Sequence, residues 1–362
     1  MVEVIIIIYF RTDANDIIAT GHVMRCLTIA DSFVKRGIKV TFIISDNESK
    51  KLISEAGYRI VVLNVDWKYI DASMEISILK SFGISSGVLF IDTYSATGEY
   101  TSIMKKLFNV VIIDDLFEQQ YDADVLIDYN LYYKIFNYKE IYNNKKISLL
   151  LGGDYVPLRK QFQGINIDRS KVKISEKKNI SILIICGGGD IYNTMSQILN
   201  YCIINDIHMF KKIEWNVVAG AYNRYMDILK QISFENDNVY IYNNINNMAD
   251  LMSRCDICIS AASTVLYECC VMQLPTVFYS IVDNQRYDID SFSEENIMLY
   301  AGDFRENAYE TLNNILINLK KIISDNKMYA YMVSRLKNIV NGNGADNIVS
   351  KIIQRLDLKA DV

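Results

Sequence analysis

The 362-residue chain contains two histidines, and one of them, His22, stands where a proton-transfer group is useful. It follows an apolar run, Val4–Phe10, and precedes a run, Val23–Phe33, whose apolar residues recur at helical spacing. In an α/β protein such a strand–loop–helix junction is where ligands bind. An imidazole titrates near neutrality and suits a general base that activates water. Arg11 and Asp13 lie just beyond the same strand, and Gly21 lets a ligand approach the backbone ahead of the helix. His22 is therefore the candidate catalytic residue, with Arg11, Asp13 and Gly21 as candidate substrate contacts. Arg25, one turn on, either holds an anion or covers the helix surface. Asp92, Thr93 and Tyr94 follow another apolar run, and Tyr94 is placed to close a sugar pocket. The adjacent acids Asp114 and Asp115 end a further strand. Neighbours on an extended segment point apart, so their expected role is structural or loop-capping.

In the second half, Cys186-Gly187-Gly188-Gly189-Asp190 joins a strand to a helix. Glycines there expose N–H groups to a phosphate at a helix N-terminus, although a tight turn explains them equally well. Asp190 has the type and position of an N-cap. A second such junction, Ser260-Ala261-Ala262-Ser263-Thr264, offers small and hydroxyl residues to a diphosphate. Glu268, one turn further, is suited to two ribose hydroxyls. Asn284 and Gln285 carry amides that match a sugar or a base edge. Asp288-Ile289-Asp290 reads as a solvated loop. Cys255 and Cys258 form a C-x-x-C with no second pair at zinc spacing, so the seven cysteines read as buried, reduced thiols.

These residues need a scaffold of alternating strands and helices, and the whole chain supplies one. Strand-like runs begin at Val4, Val40, Arg59, Gly87, Val110 and Val125, with helix-like runs between them. The pattern breaks in the polar stretch Asn166–Lys178, the expected linker, and restarts at Ile180. Such alternation specifies parallel sheets with helices on both faces. The expected organisation is an N-terminal Rossmann-like domain over 1–165 and a C-terminal one over 176–345, facing across a cleft. A C-terminal helix over 346–362 is expected to pack back on the first domain. A net charge of −5 without a basic stripe argues against a nucleic-acid partner. The initial run MVEVIIIIYF lacks a basic flank and is too short to span a bilayer, so it reads as a buried strand and not a signal. A cytoplasmic protein without a membrane partner is expected, a monomer being one option. The richness in Asn, Ile, Lys and Tyr matches an AT-rich bacterial genome.

Arg11-x-Asp13, Gly21-His22-Val23-Met24-Arg25-Cys26-Leu27 and Ala30-Asp31 together resemble the nucleotide-sugar hydrolases of pseudaminic acid biosynthesis. Similar, too, are Ile91-Asp92-x-Tyr94, Ile113-Asp114-Asp115, Gly187-Gly188-x-Asp190 with Asn193, Ser260-Ala261 through Glu268, and Asp283-Asn284-Gln285. That family removes UDP from UDP-2,4-diacetamido-2,4,6-trideoxy-β-L-altropyranose. The resemblance implies a glycosyltransferase-B fold and hydrolysis of a UDP-linked 2,4-diacetamido-2,4,6-trideoxyhexose to UDP and free sugar. It implies that His22 activates the water attacking C1. It places the nucleotide at Gly187, Gly188, Asp190, Asn193, Ser263, Thr264 and Glu268, and the sugar at Arg11, Asp13, Gly21, Tyr94, Asn284 and Gln285. No metal or other cofactor is implied. The alternatives are a transferase of the same fold that uses a UDP-sugar donor, and a non-catalytic nucleotide-sugar binder.

Overall fold

A computed structural model describes residues 7–358, apart from Asp16, Ala19, Asn144, Lys145, Gly188, Ala221, Tyr222, Asn244, Asn246, Glu295, Asn296 and the Asn284 side chain. The chain forms two compact units, Met1–Arg159 with Asn343–Val362, and Lys160–Gly342.

The first unit is built on seven parallel strands: β1 (Ile7–Thr12), β2 (Lys39–Ile44), β3 (Arg59–Val62), β4 (Val88–Asp92), β5 (Asn109–Ile113), β6 (Val125–Asp128) and β7 (Ser148–Leu151). Their order is β3-β2-β1-β4-β5-β6-β7. Helices cover both faces, so the central strands are near-continuous apolar runs and β4 is buried along its whole length. Phe10 sits at the centre, with its ring stacked on Phe90 at 4.5 Å and on Phe42 at 5.3 Å. Each such pair contributes about 0.5–1.5 kcal/mol beyond burial.

The order of strands reverses between β1 and β4, and Thr12 is the register partner of Asp92. Ligands of open α/β sheets bind outside the strand C-termini at such a switch point. The helix Gly21–Val34 starts beside it, held by buried Val23, Cys26, Leu27, Ala30 and Phe33 at helical spacing. The last helix, Gly344–Leu356, lies against this one. Arg36 Nη2 donates to Asp346 O at 3.3 Å and to Ser350 Oγ at 3.0 Å, and Ser32 Oγ donates to Asp346 Oδ1. Only glycine fits at 344, since an added Cβ would collide with the Val156 backbone.

The second unit holds six parallel strands: β8 (Ile180–Ile185), β9 (Ile213–Ala219), β10 (Val239–Asn243), β11 (Ile257–Ala261), β12 (Thr276–Ser280) and β13 (Leu299–Asp303). Their order is β10-β9-β8-β11-β12-β13, so the switch point falls between β8 and β11. These are the strands that lead into Gly187 and Ser263.

The expected linker at 166–178 is a packed part of this second unit. Arg169 is buried and donates to the carbonyls of Cys255 at 2.7 Å, Met252 at 2.8 Å and Met272 at 2.9 Å. It thereby satisfies the last carbonyls of the helices Met248–Arg254 and Val265–Val271, where a cation is favoured. Ile174 is fully buried. A polar composition was a poor guide here because the charge works inside the fold. Asp288 and Asp290 also differ from expectation: they belong to the helix Arg286–Ser293 and not to a loop.

Candidate active site

His22 is the second residue of the Gly21–Val34 helix, and its ring is almost entirely enclosed. Nδ1 lies 2.6 Å from Oδ1 of Asp92, the last residue of β4. An ionised carboxylate only accepts, so Nδ1 carries the hydrogen, and in the neutral ring the lone pair is on Nε2. Among the described residues Nε2 has no hydrogen-bond partner. Tyr94 stands against the imidazole edge-on at 4.4 Å and is 44% exposed, so one wall of the histidine is open to a ligand. A base held by a carboxylate, with its outer nitrogen free, is equipped to take a proton from water or a hydroxyl.

Asp92 is crowded with donors. Arg25 grips it with both arms, Nε to Oδ2 at 2.6 Å and Nη2 to Oδ1 at 2.5 Å. Cys26 Sγ donates to Oδ2 at 3.3 Å, and burial pushes that thiol up so that it stays protonated. Burial alone would raise the Asp92 carboxyl, but the charge of Arg25, with the hydrogen bonds that Arg25 and His22 donate, outweighs it and holds the group well below the usual range. The far edge of Arg25 reaches the ends of two more strands: Nη1 is 2.5 Å from Tyr129 Oη and 2.7 Å from Asp115 Oδ2.

Arg11 and Asp13 form a separate, closed network. Arg11 Nη1 donates to Asp13 Oδ2 at 2.5 Å, Nη2 to Glu75 Oε1 at 3.0 Å and to Ser45 Oγ at 2.7 Å. Asp13 also accepts the Ser45 N–H at 2.6 Å, and Tyr100 Oη donates to Glu75 at 2.6 Å. Arg11 is 1% exposed and Asp13 4%. The substrate contacts expected of this pair are not what the geometry offers, since both side chains are consumed in bracing β1. Asp114 caps its loop as expected, accepting the N–H groups of Leu116 and Phe117 at 3.3 and 3.0 Å. Gly21 is exposed, and an added Cβ would meet nothing within 4 Å, so the fold leaves this spot open to a ligand.

In the second unit Gly187 adopts φ +64°, a left-handed conformation that favours glycine. Gly188 lies outside the described residues. Asp190 is turned onto the helix Thr194–Asn205: Oδ1 accepts Thr194 N at 2.7 Å and Thr194 Oγ1 at 2.9 Å, and Oδ2 accepts Met195 N at 3.0 Å. Its carboxylate fills the anion position at that helix start, which revises its expected nucleotide contact to a cap. Asn193 sits at φ +53° just before the helix, half-buried. At the other junction Ser263 is half-buried and Thr264 exposed, and the helix Val265–Val271 starts with no side-chain cap. Glu268 is buried in its first turn. Gln285 is a clasp: Oε1 accepts Ile281 N at 2.8 Å while Nε2 donates to Ala262 O. Its amide therefore ties two loops together and is not free for a sugar. The Asn284 side chain lies outside the described residues.

Asp92, Arg25 and Asp115 are the site residues that sequence reasoning did not assign. The signal was an acid at a strand end beside the switch point, but the adjacency of β1 and β4 appears only once the crossover is known.

No family model matches the chain. An uncharacterized protein of Methanocaldococcus jannaschii is 26% identical over 345 residues, 88% of this chain and 68% of that protein. The UDP-2,4-diacetamido-2,4,6-trideoxy-beta-L-altropyranose hydrolase of Campylobacter jejuni is 24% identical over 280 residues, 77% of this chain and 93% of the hydrolase. A UDP-N-acetylglucosamine--N-acetylmuramyl-(pentapeptide) pyrophosphoryl-undecaprenol N-acetylglucosamine transferase of Fusobacterium nucleatum is 19% identical over 351 residues, 92% of this chain and 94% of the transferase. Among solved structures, MurG of Acinetobacter baumannii superposes with a TM-score of 0.65 at 13% identity, covering 96% of this chain and 99% of its own. MnaA of S. aureus with UDP gives 0.62 at 11% identity, covering 98% of each chain. The chain is thus an α/β protein of two Rossmann-like units with the glycosyltransferase-B type of fold, and its named relatives are enzymes of UDP-linked sugars.

Proposed function

We propose that the protein is an enzyme that hydrolyses a UDP-linked 2,4-diacetamido-2,4,6-trideoxyhexose to UDP and the free sugar, as in pseudaminic acid biosynthesis. The observation that carries this reading is the enclosed His22–Asp92 pair, whose outer nitrogen Nε2 is unpartnered among the described residues beside half-exposed Tyr94. In this reaction a water oxygen attacks C1 as its proton passes to Nε2. The bond between C1 and the β-phosphate oxygen breaks, and its electron pair leaves with UDP. The imidazolium is stabilised by Asp92 and then returns its proton to solvent. Tyr94 contacts the sugar, and open Gly21 admits it. Ser263, Thr264 and Glu268 take the nucleotide, with Gly187 shaping the loop beside them. The Campylobacter jejuni relative supports the choice of substrate.

The same base would serve an acceptor hydroxyl in a transferase, and the Fusobacterium nucleatum relative favours that second reading. The two separate on UDP release with water as the only acceptor. Purified protein given the UDP-sugar alone is expected to release UDP and sugar together. His22→Gln should lower kcat by at least about 10²-fold with UDP affinity little changed. Release only when an acceptor is added would establish the transferase. Full activity in His22→Gln would remove the imidazole from the chemistry.

A further inference from the structure

We infer that Arg25 is a positioning residue, which locks the Asp92 carboxylate in the one orientation that fixes the His22 ring, and that Asp115 and Tyr129 anchor it from the neighbouring strand ends. This rests on His22 being the base.

The Arg25 guanidinium is buried, and three nitrogens already serve protein oxygens: Nε and Nη2 on Asp92, Nη1 on Tyr129 and Asp115. An arginine placed to hold a phosphate presents a free fork, whereas this one is spent. Its bidentate grip matters because a carboxylate turns broadly about its terminal torsion. Two N–H bonds to two different oxygens fix the plane of the group, and Oδ1 is then presented to His22 Nδ1 at 2.6 Å. Arg25 Nη2 also lies 3.1 Å from the same nitrogen, but the carboxylate contact is the shorter, and the ring orientation and the tautomer follow from it. The clamp also spans the sheet: Asp92 ends β4, Asp115 follows β5 and Tyr129 follows β6. Asn130 steadies the outer anchor, with Nδ2 donating to Asp115 Oδ1 at 3.2 Å. The frame of three strand ends thus reaches the imidazole through one side chain. Arg25 itself touches no substrate in this account.

Two histidines in the whole chain make the test tractable, because His208 is exposed and serves as the internal reference. Long-range nitrogen–proton NMR on histidine-labelled protein, without substrate, is expected to show His22 with its hydrogen on Nδ1. In Arg25→Gln the two tautomers should mix, with kcat down about 10²-fold and KM changed less than about twofold. Arg25→Lys, which restores the charge but not the fork, should recover only part of kcat. Asp115→Asn keeps the grip on Asp92 and guards against a glutamine variant that does not fold. It should lower kcat by roughly three- to tenfold, again with KM unmoved. An unmixed Nδ1–H tautomer in folded Arg25→Gln, or a KM raised tenfold at constant kcat, would overturn the inference and make Arg25 a substrate contact. So would an Asp115→Asn variant with unaltered kcat. Failure of the hydrolase reading shows elsewhere, as an active His22→Gln, while the substrate-free spectra still report whether Arg25 sets the ring.

Discussion

The carboxyl edges of the two sheets share a topology and are furnished with opposite chemistry. In the first unit β1, β4, β5 and β6 end in or just before Asp13, Asp92, Asp114 with Asp115, and Asp128, and two buried arginines thread among them. In the second, β8 and β11 run into glycine, alanine and hydroxyl residues, and the nearest carboxylate, Asp190, is spent on backbone amides. The strand interiors are alike because both sheets must be apolar on two faces. Past the last ladder bond that constraint lapses, so the edge can be chosen for chemistry. One edge holds ionisable groups in fixed contact, as proton transfer requires. Around β8 and β11 the other leaves open backbone and small side chains, which suit a diphosphate, and its ion pairs of Arg305 with Asp303 and Asp283 stand apart at the ends of β12 and β13.

The sharpest way to break this contrast is at Asp92. Replacing it with Asn keeps the shape but turns Nδ1 toward an amide that can donate, so the wrong ring nitrogen becomes protonated. We expect kcat to fall about 10³-fold or more, with UDP affinity retained, as steady-state kinetics and calorimetry would show. A loss confined to KM would move Asp92 from the base to the substrate. On the other edge, Asp190→Ala removes a cap and should cost about 0.5–2 kcal/mol by denaturant unfolding while UDP binding holds. Weaker UDP binding at unchanged stability would show that Asp190 faces the ligand after all. The smallest effect is expected at Asp128. Its Oδ1 accepts Asn130 N at 3.0 Å, and burial pushes the carboxyl well up, with Asp115 and Asp114 adding to the rise and the Asn130 contacts opposing it. A carboxyl whose folded pKa exceeds its unfolded one, near 4, stabilises fully below pH 4 and loses that contribution as pH climbs. Asp128→Asn should therefore be more stable than the parent by about 1 kcal/mol at pH 7, and the gain should vanish toward pH 4. An equal gain at both values would show that the carboxyl is not the cause.

Much of the fold was legible because burial on two faces writes itself as apolar runs, and the helix spacing after β1 placed His22 at a junction. The misses have physical reasons. β13 reads Leu-Tyr-Ala-Gly-Asp, too short and polar to stand out, and β7 spans only Ser148–Leu151. Arg11 looked like a ligand contact because its type and place suit one. Its partners Glu75 and Tyr100 come from distant segments, and nothing local reports that they close over it. Asp92 lies 70 residues from His22, and only the β1–β4 pairing makes them neighbours. Arg169 hid for the same reason, among charges that resembled a linker.

In the proposed reaction His22 activates water for attack at carbon. Turnover of the UDP-sugar in ¹⁸O-water, without any acceptor, tests it most directly when the UDP formed is weighed. Unlabelled UDP is expected, released by the parent protein and slowed at least about 10²-fold in His22→Gln. Label in the β-phosphate, or equal rates in the two proteins, would contradict it.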